Sequence, residues 1–288
     1  EIYTLSLHDA LPIYQPPTQD FSELVERLTH TKNYRELDLS FIERLVSNAA
    51  KASSDEKEIL KSVKHAIHQA VNAFRVGEDS YRDLAIQLGD HAIHDRPVEE
   101  RQLYAADFLR RHASSKERLP FIRRYYQEIF SGLPPIRSIL DLGCGLNPIA
   151  AVSFIPNGRD LHYTAVDLPL DLVDFLNDFF QFLDLSGTAL QGNLLNGAPD
   201  IDADLTLIQK IIPVLERSET GAGRRVFDEI RSPFAVVSFP APAAKAKRSG
   251  SAASSVDFET EYDAILSASG WDSTKLRYPN EIVYVLKR

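Results

Sequence analysis

The sequence has no methionine and a single cysteine. One thiol, Cys144, excludes an internal disulfide and any zinc site built from several cysteines. No apolar run approaches the roughly 18 residues of a membrane span and no secretory leader is evident, so a cytoplasmic protein without membrane segments is expected. Basic residues are in the minority: 32 Lys+Arg against 41 Asp+Glu leave a net charge of -9. That balance argues against affinity won by blanketing phosphates, so any RNA contact must come from local patches. There is no His-Glu-x-x-His string, and His65 with His68 have helical spacing but no partner carboxylate motif, so no metal is expected.

What is present is ordinary globular material, 44% hydrophobic and 25% charged, in 288 residues: enough for one large domain, or a medium one with a smaller companion. Residues 1 to 13, containing Tyr3-Thr-Leu-Ser-Leu-His-Asp-Ala-Leu-Pro-Ile13, resemble translated linker sequence more than a fold element. With the missing methionine, they suggest a fragment or a mis-translated start, and residues 1–17 are set aside as a lead-in.

From Gln19 to His112 the apolar spacing is helical. Asp20-x-x-Glu23, Ser40-x-x-Glu43 and Ser53-x-x-Glu56 have the form of capping boxes. A long helix is predicted over Asp55 to Val76, a fourth from an Asp79 cap to about Leu88, and a fifth over Val98 to Arg111. Residues 18–113 therefore read as an all-α bundle. Its Lys57, Lys61, Lys64, Arg110 and Arg111 could touch RNA or simply be solvated. Ser114-x-x-Glu117 suggests another capping box, and Pro120 a break near Leu119 before a helix to Phe130.

Residues 114–288 then alternate strands with helices, the pattern of a parallel sheet. Seven strands are predicted: Ser138 to Leu142, His162 to Asp167, Ala189 to Asn193, Leu205 to Ile208, Phe234 to Phe239, Ser273 to Arg277 and Ile282 to Lys287. The first runs into Asp141-x-Gly143-x-Gly145, a strand-to-helix turn on which a ligand can rest against bare backbone. The third position of a Gly-x-Gly-x-x-Gly fingerprint falls on Pro148, which argues against a dinucleotide. Asp167, at the end of the second strand, lies where a carboxylate accepts both ribose hydroxyls of a nucleoside cofactor. Asn193 could contact an adenine ring or hold a strand-ending turn with Gly192. Gln209 and Lys210 follow the fourth strand, where substrate-facing groups of such folds lie.

Asp-x-Gly-x-Gly resembles the first motif of class I S-adenosylmethionine (SAM) methyltransferases. Together with His112-Ala-Ser-Ser-Lys-Glu-Arg-Leu119, Asp141-Leu-Gly-Cys-Gly-Leu-Asn-Pro148, Gln209-Lys-Ile-Ile-Pro-Val-Leu-Glu216, Val237-Ser-Phe-Pro240 and Glu281-Ile-Val-Tyr-Val-Leu-Lys287, it is similar to the 16S rRNA (guanine-N7) methyltransferases that confer aminoglycoside resistance. The resemblance implies an α/β fold: a Rossmann-like seven-stranded sheet of the class I SAM-dependent type with an N-terminal all-α helical-bundle domain that docks on the 30S subunit. It implies a monomer with SAM as cofactor and 16S rRNA as partner. By the same resemblance Arg118 holds the SAM carboxylate, Gly143 and Gly145 its methionyl part, Asp167 its ribose, and Asn193 with Leu194 its adenine. Asp141, Cys144, Leu168 and Gln209 complete the cofactor set, and Lys210 and Ser238 face the target guanine. One departure stands out: Pro242 lies at or near the position where the family carries a basic residue, and Ala241 to Ser255 is rich in Ala and Ser, with Lys245, Lys247 and Arg248 as the remaining charges. A small-molecule SAM methyltransferase and a catalytically silent rRNA-binding relative are the competing readings.

Overall fold

The computed structural model describes residues 21–31, 34–71, 80–89, 95–155, 158–241 and 258–288. The predicted loop from 242 onward, with Pro242, Lys245, Lys247 and Arg248, lies outside them. Helices α1 (Ser22–Thr29), α2 (Leu39–Ala50), α3 (Glu56–Ala70), α4 (Tyr81–Leu88) and α5 (Val98–Asp107) come first. A single 3-10 turn follows, then α6 (Ala113–Arg118), a second 3-10 turn at Leu119–Phe121 where Pro120 was expected to interrupt the helix, and α7 (Ile122–Ser131). The caps differ from several of those predicted. Asp38, not Ser40, caps α2 by accepting the Phe41 N–H, and Asp55, not Ser53, caps α3 by accepting from Lys57. Ser40 lies inside the first turn of α2 and Ser53 two residues ahead of the α3 cap. In each case an Asp at the position just before the helix takes the role, and the serine hydroxyl donates to a neighbouring carboxylate instead. Ser80 with Asp83 forms a complete capping box at α4, and His112 stands at the start of α6 without a side-chain cap.

The second part carries β1 (Ser138–Leu142), α8 (Asn147–Phe154), β2 (His162–Asp167), α9 (Leu170–Phe182), β3 (Gly187–Gln191), β4 (Leu205–Gln209), α10 (Ile212–Ser218), α11 (Ala222–Asp228), β5 (Phe234–Pro240), α12 (Phe258–Ser269), β6 (Asp272–Tyr278) and β7 (Glu281–Lys287). The third strand begins two residues earlier than predicted, at Gly187. The seven strands form one sheet in the order β3-β2-β1-β4-β5-β7-β6, parallel except for β7, which is antiparallel to both neighbours. The chain order reverses between β1 and β4, and in such a sheet the crevice beyond the carboxyl ends of those two strands is where ligands bind.

Alternate residues of each strand feed two cores. Ile139, Leu207, Val236 and Val283 enter the core that holds Phe108, Tyr125, Phe175 and Phe179. Leu140, Ile208, Val237 and Ile282 enter the opposite core. The helical part is not separate from these cores. Tyr81, Leu84, Leu88, Phe108 and Leu109 belong to the first, and Leu24, Leu28, Phe41, Ile42, Leu45, Ile59, Val63 and Ile67 to the second, alongside Leu195, Ile212 and Leu215. Polar staples add to the contact: Leu170 donates its N–H to the Glu36 carbonyl at 2.7 Å. Arg44 of α2 grips Glu219, just beyond α10, with two bonds of 2.5 and 2.7 Å.

Candidate active site

The glycine turn after β1 is held open by its conformation and closed off by its hydrogen bonds. Gly143 and Gly145 have φ of 65° and 52°, and a Cβ on either would come within 2.6 to 2.7 Å of the Ile211 or His112 side chain. The N–H groups of Gly143 and Cys144 both donate to the Val166 carbonyl, and that of Gly145 to Asp167 Oδ2 at 2.7 Å. Leu168 donates to the other oxygen of Asp167, also at 2.7 Å. Two backbone donors thus fix the carboxylate's plane while leaving a lone pair on each oxygen for a vicinal diol. Burial pushes the Asp167 acid upward, opposed by those same N–H groups and by the Cys144 thiol.

Two lobes meet at this turn. One is an apolar slot among Phe41, Leu168, Leu194, Ile211, Val214 and Leu215, with Asn193 in its wall. The other is lined by His112, Ser114, Gln209 and Lys210. Gly143, Asp167, Ile211 and Ala70 belong to both. A flat base, a diol and a charged amino-acid tail would each find complementary surroundings in that order. The buried Gln209 Oε1, an acceptor without a hydrogen-bond partner in the wall of the polar lobe, fits an ammonium group. The residues present therefore suit SAM.

Lys210, at the carboxyl end of β4, is among the described non-glycine residues with positive φ, 61°, and its N–H donates to the Ser238 carbonyl at 3.0 Å. A β4-to-α10 connection that tolerates this left-handed lysine aims the chain across the cleft, and strain of this kind collects at functional positions. Its side chain is 7% exposed, with the ammonium 2.9 Å from Glu117 and 3.8 Å from Glu281. Ser238, on β5, is fully buried beside it, and its Oγ has no hydrogen-bond partner among the described residues.

Other expected cofactor residues lie behind the cleft wall. Asp141 accepts from the Tyr163 hydroxyl at 2.6 Å and the Asn147 amide at 2.8 Å, and burial pushes it up to about 6 despite both bonds. It ties α8 to β1. Cys144 is buried and lines neither lobe, and burial with the nearby Asp167 and Asp141 raises its thiol. Arg118 is engaged in the interior. It is 2% exposed, pairs with Glu281 through bonds of 2.8 and 3.1 Å, donates to Asn147 Oδ1 at 3.3 Å and lies 4.6 Å above the Tyr125 ring. It lines neither lobe. A guanidinium so deep needs an anion at once, and Glu281 supplies it. Burial alone would raise the Glu281 acid, but Arg118 and then Lys210 hold it below the usual range. Asn193 accepts from Leu195 and donates to Ser40 of α2, so the turn-holding role is the one its contacts show.

Sequence reasoning missed Glu281, Asn147, Phe41 and His112 as site residues. Glu281 had a signal: a lone acid opening an otherwise apolar strand. Phe41 had none, because nothing in a helix's period tells which pocket its buried face will wall.

Comparison with known proteins agrees with this geometry. The description "Ribosomal RNA methyltransferase (FmrO)" matches residues 30–285. The chain belongs to the FmrO ribosomal RNA methyltransferase family. A 16S rRNA (guanine(1405)-N(7))-methyltransferase of Frankia casuarinae is 30% identical over 267 residues, covering 91% of this chain and 92% of that protein. One of the same name from Micromonospora rosea is 27% identical over 92% of this chain and 96% of its own length. Among solved structures, the 16S rRNA methyltransferase RmtF in complex with S-adenosyl-L-homocysteine superposes with a TM-score of 0.73 at 24% identity, over 94% of this chain and 98% of that one. The methylase RmtB gives 0.72 at 23%, over 93% and 98%. These two share the fold of the FmrO-family chain, including its seven-stranded sheet and helical N-terminal part.

Proposed function

We propose that this FmrO-family protein transfers a methyl group from SAM to N7 of a guanine in the decoding site of 16S rRNA, acting as a cytoplasmic monomer on the 30S subunit and giving aminoglycoside resistance. The observation that carries the reading is the cleft at the β1/β4 switch point, with the Asp167 carboxylate at one side and a lysine ammonium at the other. SAM supplies an electrophilic methyl group on a sulfonium. The apolar slot walled by Phe41 and Leu194 takes the adenine, Asp167 accepts the ribose hydroxyls, and Gln209 Oε1 accepts from the ammonium. Arg118, behind the wall, reaches the carboxylate end only by holding the Glu281 and Asn147 scaffold around the cleft.

Guanine N7 already has an in-plane lone pair, so no residue here needs to remove a proton. Orientation and exclusion of water provide the acceleration, and Lys210 is placed to hold the base or its phosphate. A paired base must turn out of its helix to enter, and α1 to α5 supply a docking platform, of which Phe41 in α2, Ala70 in α3 and Tyr81 in α4 also line the cofactor cleft. Lys210→Ala tests the division of labour: methyl transfer to purified 30S subunits should fall roughly tenfold or more while SAM affinity holds. Transfer at the wild-type rate would remove Lys210 from the substrate side. Parallel loss of affinity and rate would place it in the cofactor pocket.

A further inference from the structure

Two buried cations lie beside the cleft: Arg118 takes both oxygens of Glu281, and Lys210, 3.8 Å from Glu281, makes its hydrogen bond to Glu117. These two pairs differ in exposure. Glu281 is fully buried, whereas the Glu117 side chain is 55% exposed, with its Oε2 2.9 Å from the ammonium of Lys210, a residue that lines the cleft. The position of Glu117 is fixed from its backbone, since its carbonyl accepts from the Asn280 side chain at 3.2 Å and α6 is anchored by His112 against the glycine turn and by Arg118 in the interior.

We propose that Glu117 and Lys210 together identify the target base, Lys210 donating to guanine O6 and Glu117 accepting from N1–H. This rests on the methyltransferase reading above. A donor and an acceptor side by side match the O6 acceptor and N1–H donor that guanine presents as neighbours; adenine presents a donor and an acceptor in the reverse order, and the same pair repels it. N7 lies on the far side of O6 and stays open to the methyl group. In the transfer, the N7 lone pair becomes the new N–C bond, the C–S bonding pair stays with sulfur, and one positive charge passes from sulfur to the base with no proton lost. That charge makes N1–H more acidic, so a carboxylate on N1–H is bound more strongly as the reaction proceeds.

The test uses the full chain and 30S subunits reconstituted with either guanosine or 2-aminopurine riboside at the mapped position, the second keeping N7 but lacking O6 and N1–H. Glu117→Gln should keep SAM affinity and subunit binding near wild type, slow single-turnover transfer to guanosine by about tenfold or more, and have almost no effect on the slower transfer to 2-aminopurine. Equal losses on both bases would make Glu117 only a support for Lys210 and overturn the proposal. No loss on guanosine, or weakened SAM binding, would overturn it as well. If wild-type protein labels neither subunit, the underlying methyltransferase reading fails instead.

Discussion

Replacing Glu281 with Gln keeps the side chain's size and removes the one fully buried anion shared by Arg118 and Lys210. Arg118 would keep its 3.3 Å contact with Asn147, its place over the Tyr125 ring and one bond to the amide oxygen, but lose the other bond and the anion that neutralises its charge. Breaking such a pair by deleting one partner costs about 3–5 kcal/mol. That is a large part of the roughly 5–15 kcal/mol that holds a domain folded. At roughly 2–4 °C per kcal/mol for a large domain, the calorimetric melting temperature should fall by about 10 °C. The pH dependence gives a second reading. Glu281 titrates below its usual 4.5 in the folded protein, so its contribution is complete above that pH and fades as pH falls through the folded value. The gap between wild type and variant should therefore be full at neutral pH and narrow on acidification. A melting temperature within about 2 °C of wild type at neutral pH would refute the claim that the pair is held by charge.

Asp167→Ala should weaken SAM binding by about 1.5–3 kcal/mol in titration calorimetry, the scale of hydrogen bonds to a charged group; unchanged affinity would take Asp167 out of the site. A chain beginning at Ser114 should fail to fold, because Phe41, Ile42, Leu45, Ile59, Val63 and Ile67 share a core with Leu195, Ile212 and Leu215, and each buried side chain contributes about 1.5–3 kcal/mol. Near-ultraviolet circular dichroism would show this, and a cooperatively folded, SAM-binding fragment would contradict it. Arg44, with Arg225 and Asn48, lowers Glu219 to about 2 from 4.5. Glu219→Gln should destabilise by about 1 kcal/mol at neutral pH, discounted for a partly exposed pair. The difference should vanish as pH falls from 4.5 toward about 2; a pH-independent difference would count against the ion pair.

Much of the sheet could be read in advance because each strand obeys a strong local rule. Ser138–Leu142 and His162–Asp167 were legible to the residue, since apolar runs there stop at a glycine turn and at an acid. Gly187 and Thr188 were missed at the start of β3, where an edge strand with a glycine carries little β signal. Helix existence was legible, but caps were not: several Ser and Asp residues within two positions compete for the same N–H groups, and only the folded chain chooses. In the site, Gly143, Gly145, Asp167 and Lys210 follow from their positions at strand ends. The engagement of Arg118 by Glu281, 163 residues apart, does not, because a motif names residue types and says nothing about which distant anion neutralises them. The same holds for the helical part, whose period reveals a buried face but not that this face closes over the cofactor cleft.

Tritiated methyl transfer from SAM to purified 30S subunits, followed by mapping of the modified nucleotide, should place the label in 16S rRNA on N7 of a single guanine in the decoding site. Label on another atom, on another RNA, or only on small metabolites would contradict the proposed function, and so would binding of the subunit with no transfer at all.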